Sequence, residues 1–340
     1  MKIFIRADGG KGIGMGHIMR MLVLGEELHK NSEVIFICRY DLGNKFEAGI
    51  EKIRECGFNV IRINEENYID EIIDIQKKYN VDMLITDSYD VNEEYFRKLK
   101  KYFKITGYID DVNKCKMDVD FIINQNINAY DLDYHSTVKS NTRLFLGTKY
   151  CMIRKEFREA YKHKVLKDNV NNILLTLGGM DNDENTLKIL DKIKTCSKNI
   201  HIVIGNAFGK GLIDKIYDLG KDNGNIYIYE NADMSQLMLE CDIAISACGS
   251  TLYELSAMKV PAIGIILAEN QRCVAEKMKD MGMILDCFCI DNIDNIDLIG
   301  MLSKLIEDNQ LREKLIKEQE QLVNIYGVEN LASKINDVLQ

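Results

Sequence analysis

The sequence predicts an α/β protein of two domains, each built on a parallel sheet covered by helices. Short runs of aliphatic residues alternate with amphipathic stretches along the chain, which is typical of strands alternating with helices. The chain has 340 residues, a length that is large for one core and fits two domains of ordinary size. A strand followed by glycines occurs at the start of the chain and again near its middle.

The order of predicted elements divides the chain into residues 1–155, a linker at 156–171 and residues 172–340. The linker prediction rests on a polar, strongly charged stretch in which Phe157 and Tyr161 could anchor a helix. The predicted strands of the first domain are 2–6, 33–38, 59–63, 82–86, 104–109, 121–126 and 143–147. Those of the second domain are 172–177, 201–205, 225–229, 243–246 and 261–266. The tail from 297 to 340 is predicted to be helical, and its last segment could cross back onto the first domain.

Composition narrows the possible partners. The formal net charge of −9 argues against a nucleic-acid or anionic-membrane surface, although a local basic pocket for phosphate stays possible. The ten cysteines are scattered without C-x-x-C pairs, which favours reduced thiols over disulfides or a zinc site. Because the sequence shows no signal peptide or long apolar span, the expected location is the cytoplasm and no membrane span is predicted.

The loop between the first strand and the first helix is the strongest candidate for a ligand site. Its glycines allow a tight turn and a close approach to a ligand, and the free N–H groups of the following helix attract an anion. His17 begins that helix, predicted over 17–29, and Arg20 lies one turn later on the same side. The positive end of the helix dipole disfavours imidazolium, so we expect a neutral His17 that can take a proton. The alternative is a purely structural turn.

Polar residues also follow the strand at 82–86, where ligand sites of such folds cluster. Asp87 and Tyr89 are therefore candidates, and the alternative for Asp87 is that it caps a helix. A glycosidase with paired carboxylates is not favoured, because the adjacent Asp110 and Asp111 point apart on an extended backbone.

The second domain repeats the anion-binding pattern. Ser250 and Thr251 follow Gly249 at a predicted helix start, and Glu254 faces the same side of that helix, where it can reach a sugar hydroxyl. The alternative is a capping box in which Glu254 only stabilises the helix start. One phosphate-capable loop in each domain suggests a cleft between the domains.

Several motifs, in this order, resemble the UDP-sugar hydrolase of pseudaminic acid biosynthesis and its spore-coat polysaccharide relatives. The resemblance runs from the first strand to about Gln271 and more loosely beyond. The motifs are Gly14-Met15-Gly16-His17-Ile18-Met19-Arg20, Asp87-Ser88-Tyr89, Leu177-Gly178-Gly179-Met180-Asp181, Ser246-Ala247-Cys248-Gly249-Ser250-Thr251-Leu252-Tyr253-Glu254 and Ala268-Glu269-Asn270-Gln271. The fuller Gly-Ser-Thr-Leu-Tyr-Glu motif leans toward the spore-coat relatives.

The resemblance implies two Rossmann-like domains facing a cleft, the glycosyltransferase B-type architecture, with UDP held mainly by the second domain. It implies that water attacks the anomeric carbon with inversion and releases UDP and a free 2,4-diacetamido-2,4,6-trideoxy sugar, with no cofactor and no required metal. His17 would be the catalytic base, Tyr89 would support the water or the sugar, and Asn270 would hold the sugar. Ser250 and Thr251 would bind the diphosphate. The remaining predicted substrate-binding residues are Gly14, Gly16, Arg20, Asp87, Gly178, Gly179, Gly249, Glu254 and Gln271.

Three other functions stay open. A glycosyltransferase could use the same site, with His17 deprotonating an acceptor hydroxyl instead of water. A nicotinamide oxidoreductase is suggested only by the first loop: Arg39 follows the second strand where an acid would grip the ribose of NAD, which disfavours NAD and leaves NADP. A non-catalytic nucleotide-sugar binder is the third. The partner expected in each sugar-nucleotide case is a small UDP-sugar, and the sequence indicates no oligomeric state.

Overall fold

The computed structural model describes residues 1–179, 181, 183–221 and 223–338. The chain forms two compact units: Met1–Met152 with the segment from Tyr326 onward, and Ile153–Ile325. Met180 of the second glycine motif and the last residue of the predicted second domain, Gln340, lie outside the described residues.

The described part of the first unit contains a seven-stranded sheet in the order β3-β2-β1-β4-β5-β6-β7. All of its recorded strand pairs are parallel. The strands are β1 (Lys2–Ala7), β2 (Glu33–Tyr40), β3 (Asn59–Asn64), β4 (Met83–Asp87), β5 (Ile105–Ile109), β6 (Phe121–Asn124) and β7 (Arg143–Leu146). Every residue of β4, β5 and β6 is buried, as expected for parallel strands covered on both faces.

The second unit repeats this topology. Its described residues form six parallel strands in the order β10-β9-β8-β11-β12-β13. The strands are β8 (Asn172–Thr176), β9 (Asn199–Ile204), β10 (Ile226–Glu230), β11 (Ile243–Ala247), β12 (Ala262–Ile266) and β13 (Asp286–Cys289). Every predicted strand is present. The additional strand β13 was not predicted, because this short edge strand has the sequence Asp-Cys-Phe-Cys and lacks an aliphatic run.

Helices connect these strands. They are α1 (Gly16–His29), α2 (Glu47–Glu55), α3 (Tyr68–Tyr79), α4 (Glu93–Leu99), α5 (Lys155–Ala160), α6 (Asn185–Ile193), α7 (Lys210–Lys221), α8 (Met234–Glu240), α9 (Thr251–Ala257), α10 (Glu269–Asp280), α11 (Leu298–Glu307), α12 (Asn309–Leu322) and α13 (Gly327–Asn336). Among the described helices, none is long and apolar enough to cross a membrane.

The boundaries of the two units differ from the predicted ones at both ends of the second domain. The charged stretch predicted as a linker belongs to the second unit, where Phe157 of α5 is completely buried. The last helix, α13, belongs to the first unit, where it packs against α1. Gly327 permits this return, since a Cβ there would lie 2.5 Å from the backbone nitrogen of Cys151.

The strand order gives each of the two sheets an equivalent switch point, where the order of the strands reverses. In each sheet the chain reverses its direction of winding next to the first strand of the unit, between β1 and β4 and between β8 and β11. Ligands of open parallel sheets bind outside the carboxyl ends of the strands at such a switch point. One predicted glycine loop follows β1 and the other follows β8. The polar segments after β4 and β11 follow the strands that are adjacent to β1 and β8.

Candidate active site

The glycine loop after β1 folds back on itself. Gly10 and Gly14 exchange backbone hydrogen bonds of 3.1 and 3.0 Å, and Gly12 and Gly14 have φ values of +77° and +81°. A Cβ on Gly10 would lie 2.0 Å from the carbonyl oxygen of Lys45, so only glycine fits there. Among the described side chains none caps the start of α1, so the first-turn N–H groups that begin at Gly16 have no side-chain acceptor.

His17 is paired with a buried carboxylate. Its Nδ1 lies 2.7 Å from Oδ1 of Asp87, which is completely buried at the end of β4. The histidine side chain is 12% exposed, so a small molecule can reach the ring. The alternative that Asp87 caps a helix is wrong: Asn92 caps α4 by accepting a hydrogen bond from the backbone of Tyr95.

Arg20 connects this carboxylate to a second one. Its Nε and Nη2 donate to the two oxygens of Asp87 at 2.6 Å each, and Nη1 donates to Asp111 Oδ2 at 2.8 Å. A bidentate guanidinium–carboxylate pair is strong and directional. Arg20, which was predicted to bind substrate, is therefore held in two ion pairs and fixes the position of Asp87.

The charges of this group shift its pKa values. Burial alone would raise the pKa of Asp87, but Arg20 and His17 outweigh it and hold that pKa well below its usual range. Burial alone would lower the pKa of His17, but Asp87 outweighs it and raises that pKa above the ordinary 6.5. The Asp87 carboxylate thus acts against the positive end of the helix dipole, which was expected to favour a neutral His17. With Nδ1 donating to Asp87, the nitrogen that can accept a proton is Nε2.

Asp111 was not predicted as a site residue. It follows β5, the strand next to β4, and its Oδ2 accepts a hydrogen bond from the Tyr89 hydroxyl at 2.8 Å. The rings of Tyr89 and His17 meet edge to face with centroids 4.7 Å apart. The sequence feature that could have identified Asp111 is its position just after β5, the strand adjacent to β4. Asp110 turns to other partners, Tyr134 and the backbone of Asn113, as expected for adjacent residues.

A second buried ion cluster lies beside the glycine loop. Arg39 donates through Nε to Asp8 at 2.9 Å, and its Nη1 lies 2.7 Å from Asp90. Arg6, which is completely buried, donates to Asp90 at 2.8 Å. Arg39 is 9% exposed and lies within 3.9 Å of three carboxylates, those of Asp8, Asp90 and Glu65, which argues against the role in binding the 2′-phosphate of NADP that the oxidoreductase alternative gave it.

The glycine loop of the second unit depends on close backbone packing. Gly178 has a φ of +93°, and a Cβ on Gly205 would lie 2.5 Å from the Gly178 carbonyl oxygen. Asp181 accepts hydrogen bonds from the backbone N–H groups of Asn185 and Thr186 at 2.9 and 2.6 Å. The loop is thus fixed from both sides, and Gly178 and Gly179 remain exposed.

The segment after β11 does not form the capping box that was the alternative to a ligand site. Ser250 precedes α9 without a side-chain hydrogen bond to the helix, and Glu254 accepts a hydrogen bond from Arg154 Nε at 2.8 Å. Burial raises the pKa of Glu254, and the neighbouring Arg154 opposes that rise. The alternative in which Glu254 only stabilises the helix start is therefore wrong.

The remaining predicted residues also lie in the second unit. Asn270 is exposed in the first turn of α10, and Gln271 accepts a hydrogen bond from the backbone of Leu267 at 2.9 Å. The structure thus brings His17, Arg20, Asp87 and Tyr89 into contact in the first unit. Among the described residues, no group of three or more His, Cys, Asp or Glu side chains is placed to hold a metal ion.

Known proteins include relatives that align with most of this chain. The chain is 28% identical over 347 residues to the spore coat polysaccharide biosynthesis protein SpsG of Bacillus subtilis, covering 100% of this chain and 99% of that one. It is 26% identical over 285 residues to the UDP-2,4-diacetamido-2,4,6-trideoxy-beta-L-altropyranose hydrolase of Campylobacter jejuni, covering 83% and 97%. The resemblance predicted from the sequence is confirmed. No protein-family model matches the chain.

An archaeal relative is longer. The uncharacterized protein MJ1062 of Methanocaldococcus jannaschii is 29% identical over 291 residues, which cover 82% of this chain. The matched part spans 58% of the length of that relative.

Solved structures support the same architecture. MurG of Acinetobacter baumannii superposes with a TM-score of 0.69 at 13% identity, over 99% of both chains. The calicheamicin glycosyltransferase CalG4 superposes with a TM-score of 0.68 at 11% identity, over 99% of this chain and 98% of that one. The protein therefore has the two-domain α/β architecture of the B-type glycosyltransferases, as predicted.

Proposed function

We propose that this chain is an enzyme acting on a UDP-sugar, and that it hydrolyses the bond between UDP and the sugar. The observation that carries the proposal is the His17–Asp87 pair beside a glycine loop at the switch point of the first sheet. The names of the relatives support the substrate class, since one is a hydrolase of a UDP-diacetamido-trideoxy sugar. The proposed products are UDP and a free 2,4-diacetamido-2,4,6-trideoxy sugar, and we propose that the sugar enters the biosynthesis of a nonulosonic acid or of a surface polysaccharide.

His17 activates the water in this proposal. The water oxygen bonds to the anomeric carbon while the bond from that carbon to the diphosphate oxygen breaks, and UDP leaves with the electron pair. His17 Nε2 takes one water proton, and Asp87 stabilises the imidazolium that forms. The other proton stays on the new hydroxyl of the sugar. Attack from the face opposite the leaving group inverts the anomeric configuration.

The second unit supplies the nucleotide site. The exposed backbone of Gly178 and Gly179 and the hydroxyls of Ser250 and Thr251 are the donors proposed for the diphosphate. Glu254 is proposed to bind the ribose hydroxyls while Arg154 holds its carboxylate in place. We propose that Asn270, exposed at the start of α10, binds the sugar.

Substituting Gly205 tests the nucleotide site. A methyl group at this position would collide with the backbone at Gly178, so Gly205→Ala displaces the loop and costs about 1–3 kcal/mol of stability. We expect a loss of UDP affinity, measured by titration calorimetry. Gly211→Ala is the matched control, since a Cβ there meets open space. Equal UDP affinity in Gly205→Ala and the wild type would contradict the assignment.

The central experiment asks whether UDP is released when no acceptor is present. Purified protein is incubated with UDP-2,4-diacetamido-2,4,6-trideoxy-β-L-altropyranose and other UDP-sugars in a buffer with EDTA, and free UDP is measured. We expect UDP and free sugar in equal amounts, with no added divalent metal. Strict dependence on Mg²⁺ or Mn²⁺ would favour a metal-assisted route instead.

The second candidate is a glycosyltransferase with the same donor. Its support is that the spore-coat relative, which aligns with practically the whole of both chains, is named for polysaccharide biosynthesis and not for hydrolysis. In that case His17 takes the proton of an acceptor hydroxyl, and UDP appears only after an acceptor is added. Tight UDP binding without turnover of any UDP-sugar would instead indicate a non-catalytic binder.

A further inference from the structure

Asp111 receives hydrogen bonds from three different elements of the first unit. Its Oδ2 accepts from the Tyr89 hydroxyl and from Arg20 Nη1, both at 2.8 Å, and its Oδ1 accepts from Asn126 Nδ2 at 2.9 Å. A carboxylate paired with a guanidinium accepts hydrogen bonds and donates none. The phenolic proton of Tyr89 is therefore directed at Asp111.

This contact decides what Tyr89 offers to a ligand. A phenol has one proton and can also accept hydrogen bonds through its oxygen. Because the proton is held by Asp111, the oxygen can act only as an acceptor toward any further molecule. Burial, together with the charge of Asp111, raises the pKa of Tyr89, so the phenol keeps this proton at neutral pH. The side chain is 38% exposed and can be reached.

His17 is arranged in the same way. Its Nδ1 proton is directed at Asp87, which leaves Nε2 as an acceptor, and its ring lies against the ring of Tyr89 with centroids 4.7 Å apart. Two neighbouring rings thus each direct a proton to an aspartate and each present an acceptor. Arg20 bridges the two aspartates and fixes their separation.

The resemblance already implies that Tyr89 supports the water or the sugar. We propose that Asp111 is the positioning residue that makes Tyr89 an acceptor, so that Tyr89 and His17 each accept one proton of a single water molecule. The arrangement selects water over an alcohol as the nucleophile. This inference rests on the proposed hydrolase function. It goes beyond that function because it concerns the choice of nucleophile and gives a role to Asp111, which the proposed mechanism does not use.

The balance of protons explains the selection. Water gives one proton to His17 Nε2 as its oxygen bonds to the anomeric carbon, and its second O–H donates to Tyr89 and stays on the product. An alcohol has a single O–H, which His17 takes. Its alkyl group then lies against the Tyr89 oxygen and leaves that acceptor without a partner, which is costly.

The test measures the partition between two nucleophiles. Wild type and Tyr89→Phe are incubated with UDP-2,4-diacetamido-2,4,6-trideoxy-β-L-altropyranose in buffer containing methanol, and free sugar and methyl glycoside are measured by NMR. Removing the acceptor should lower hydrolysis on the order of tenfold and raise the ratio of methyl glycoside to free sugar by a similar factor. Asp111→Ala should raise the same ratio, because Tyr89 can then turn its proton toward the nucleophile.

Two further variants separate orientation from structure. Lys114 donates to the backbone carbonyl of Tyr89 and not to its hydroxyl, so Lys114→Ala should keep the wild-type ratio. Asp111→Asn retains an oxygen that can accept the phenolic proton, and its ratio should lie below that of Asp111→Ala. An unchanged ratio in Tyr89→Phe, or a ratio in Asp111→Ala equal to that of wild type, would overturn this inference alone. A wild-type protein that releases no UDP would overturn the hydrolase proposal as well.

Discussion

His17→Ala is expected to lower kcat by about 10²–10⁴-fold, the usual contribution of a positioned general base. Because the diphosphate donors are proposed in the second unit, the affinity for UDP should stay at the wild-type value. Hydrolysis assays give the first quantity and titration calorimetry gives the second. Added imidazole should restore part of the activity, since the substitution leaves space beside Asp87 for a free base.

A histidine on the same helix provides the control. His29 is the last residue of α1 and its ring packs against Phe58, away from the Asp87 contact. His29→Ala should therefore hydrolyse the UDP-sugar at the wild-type rate. If His17→Ala also did so, His17 would not be the base, and the proposed mechanism would fail.

Much of the fold could be predicted because both sheets are parallel. The central strands are buried on both faces and have continuous apolar runs, whereas β3 and β10 are partly exposed. Clusters of aliphatic residues marked every strand except β13. Glycine is required after β1 and β8 by positive φ angles and by close backbone approaches. Because these requirements are local, the glycines could be recognised from the sequence alone. The contact between His17 and Arg20 on one helix face also follows from helical spacing.

The site was less accessible to prediction, because its charge pairs join residues far apart in the sequence. Asp87 meets a helix that begins at Gly16, and Asp111 meets the same helix from a neighbouring strand. The partners of Arg39 and Glu254 are likewise set by packing. The sequence indicated where Arg39 and Glu254 lie but not that each is paired with an opposite charge. The raised pKa of His17 has the same origin, since it depends on a buried carboxylate and not on the helix end.

Asp87→Asn is expected to change both the rate and its pH dependence. In the wild type, kcat/KM should rise with pH through the pKa of His17 in the free enzyme, which lies above 6.5, because only the neutral imidazole accepts a proton. Asp87 is the main group that raises this pKa, whereas burial and Arg20 lower it. Removing the carboxylate charge should therefore shift the rise of the profile to lower pH.

The rate should fall even where His17 is neutral. The new amide has a single oxygen, whereas Asp87 uses both oxygens to accept from Arg20 and one of them to accept from His17. With its oxygen toward Arg20, the NH₂ group faces Nδ1, and the proton of the ring then moves to Nε2, the position that must accept. The loss of a carboxylate that fixes a histidine tautomer can reach about 10⁴-fold.

Asp90→Asn is the matched control, since it makes the same change of charge three residues away, on a carboxylate that pairs with Arg6 and Arg39. Its profile should rise at the wild-type pH. The decisive comparison is the apparent pKa of kcat/KM in the three proteins. A profile for Asp87→Asn that rises at the wild-type pH would mean that His17 is not the group being titrated, because the charge that raises its pKa would be gone without effect. A shifted profile with a reduced plateau would instead identify Asp87 as the residue that sets both the charge and the tautomer of the base.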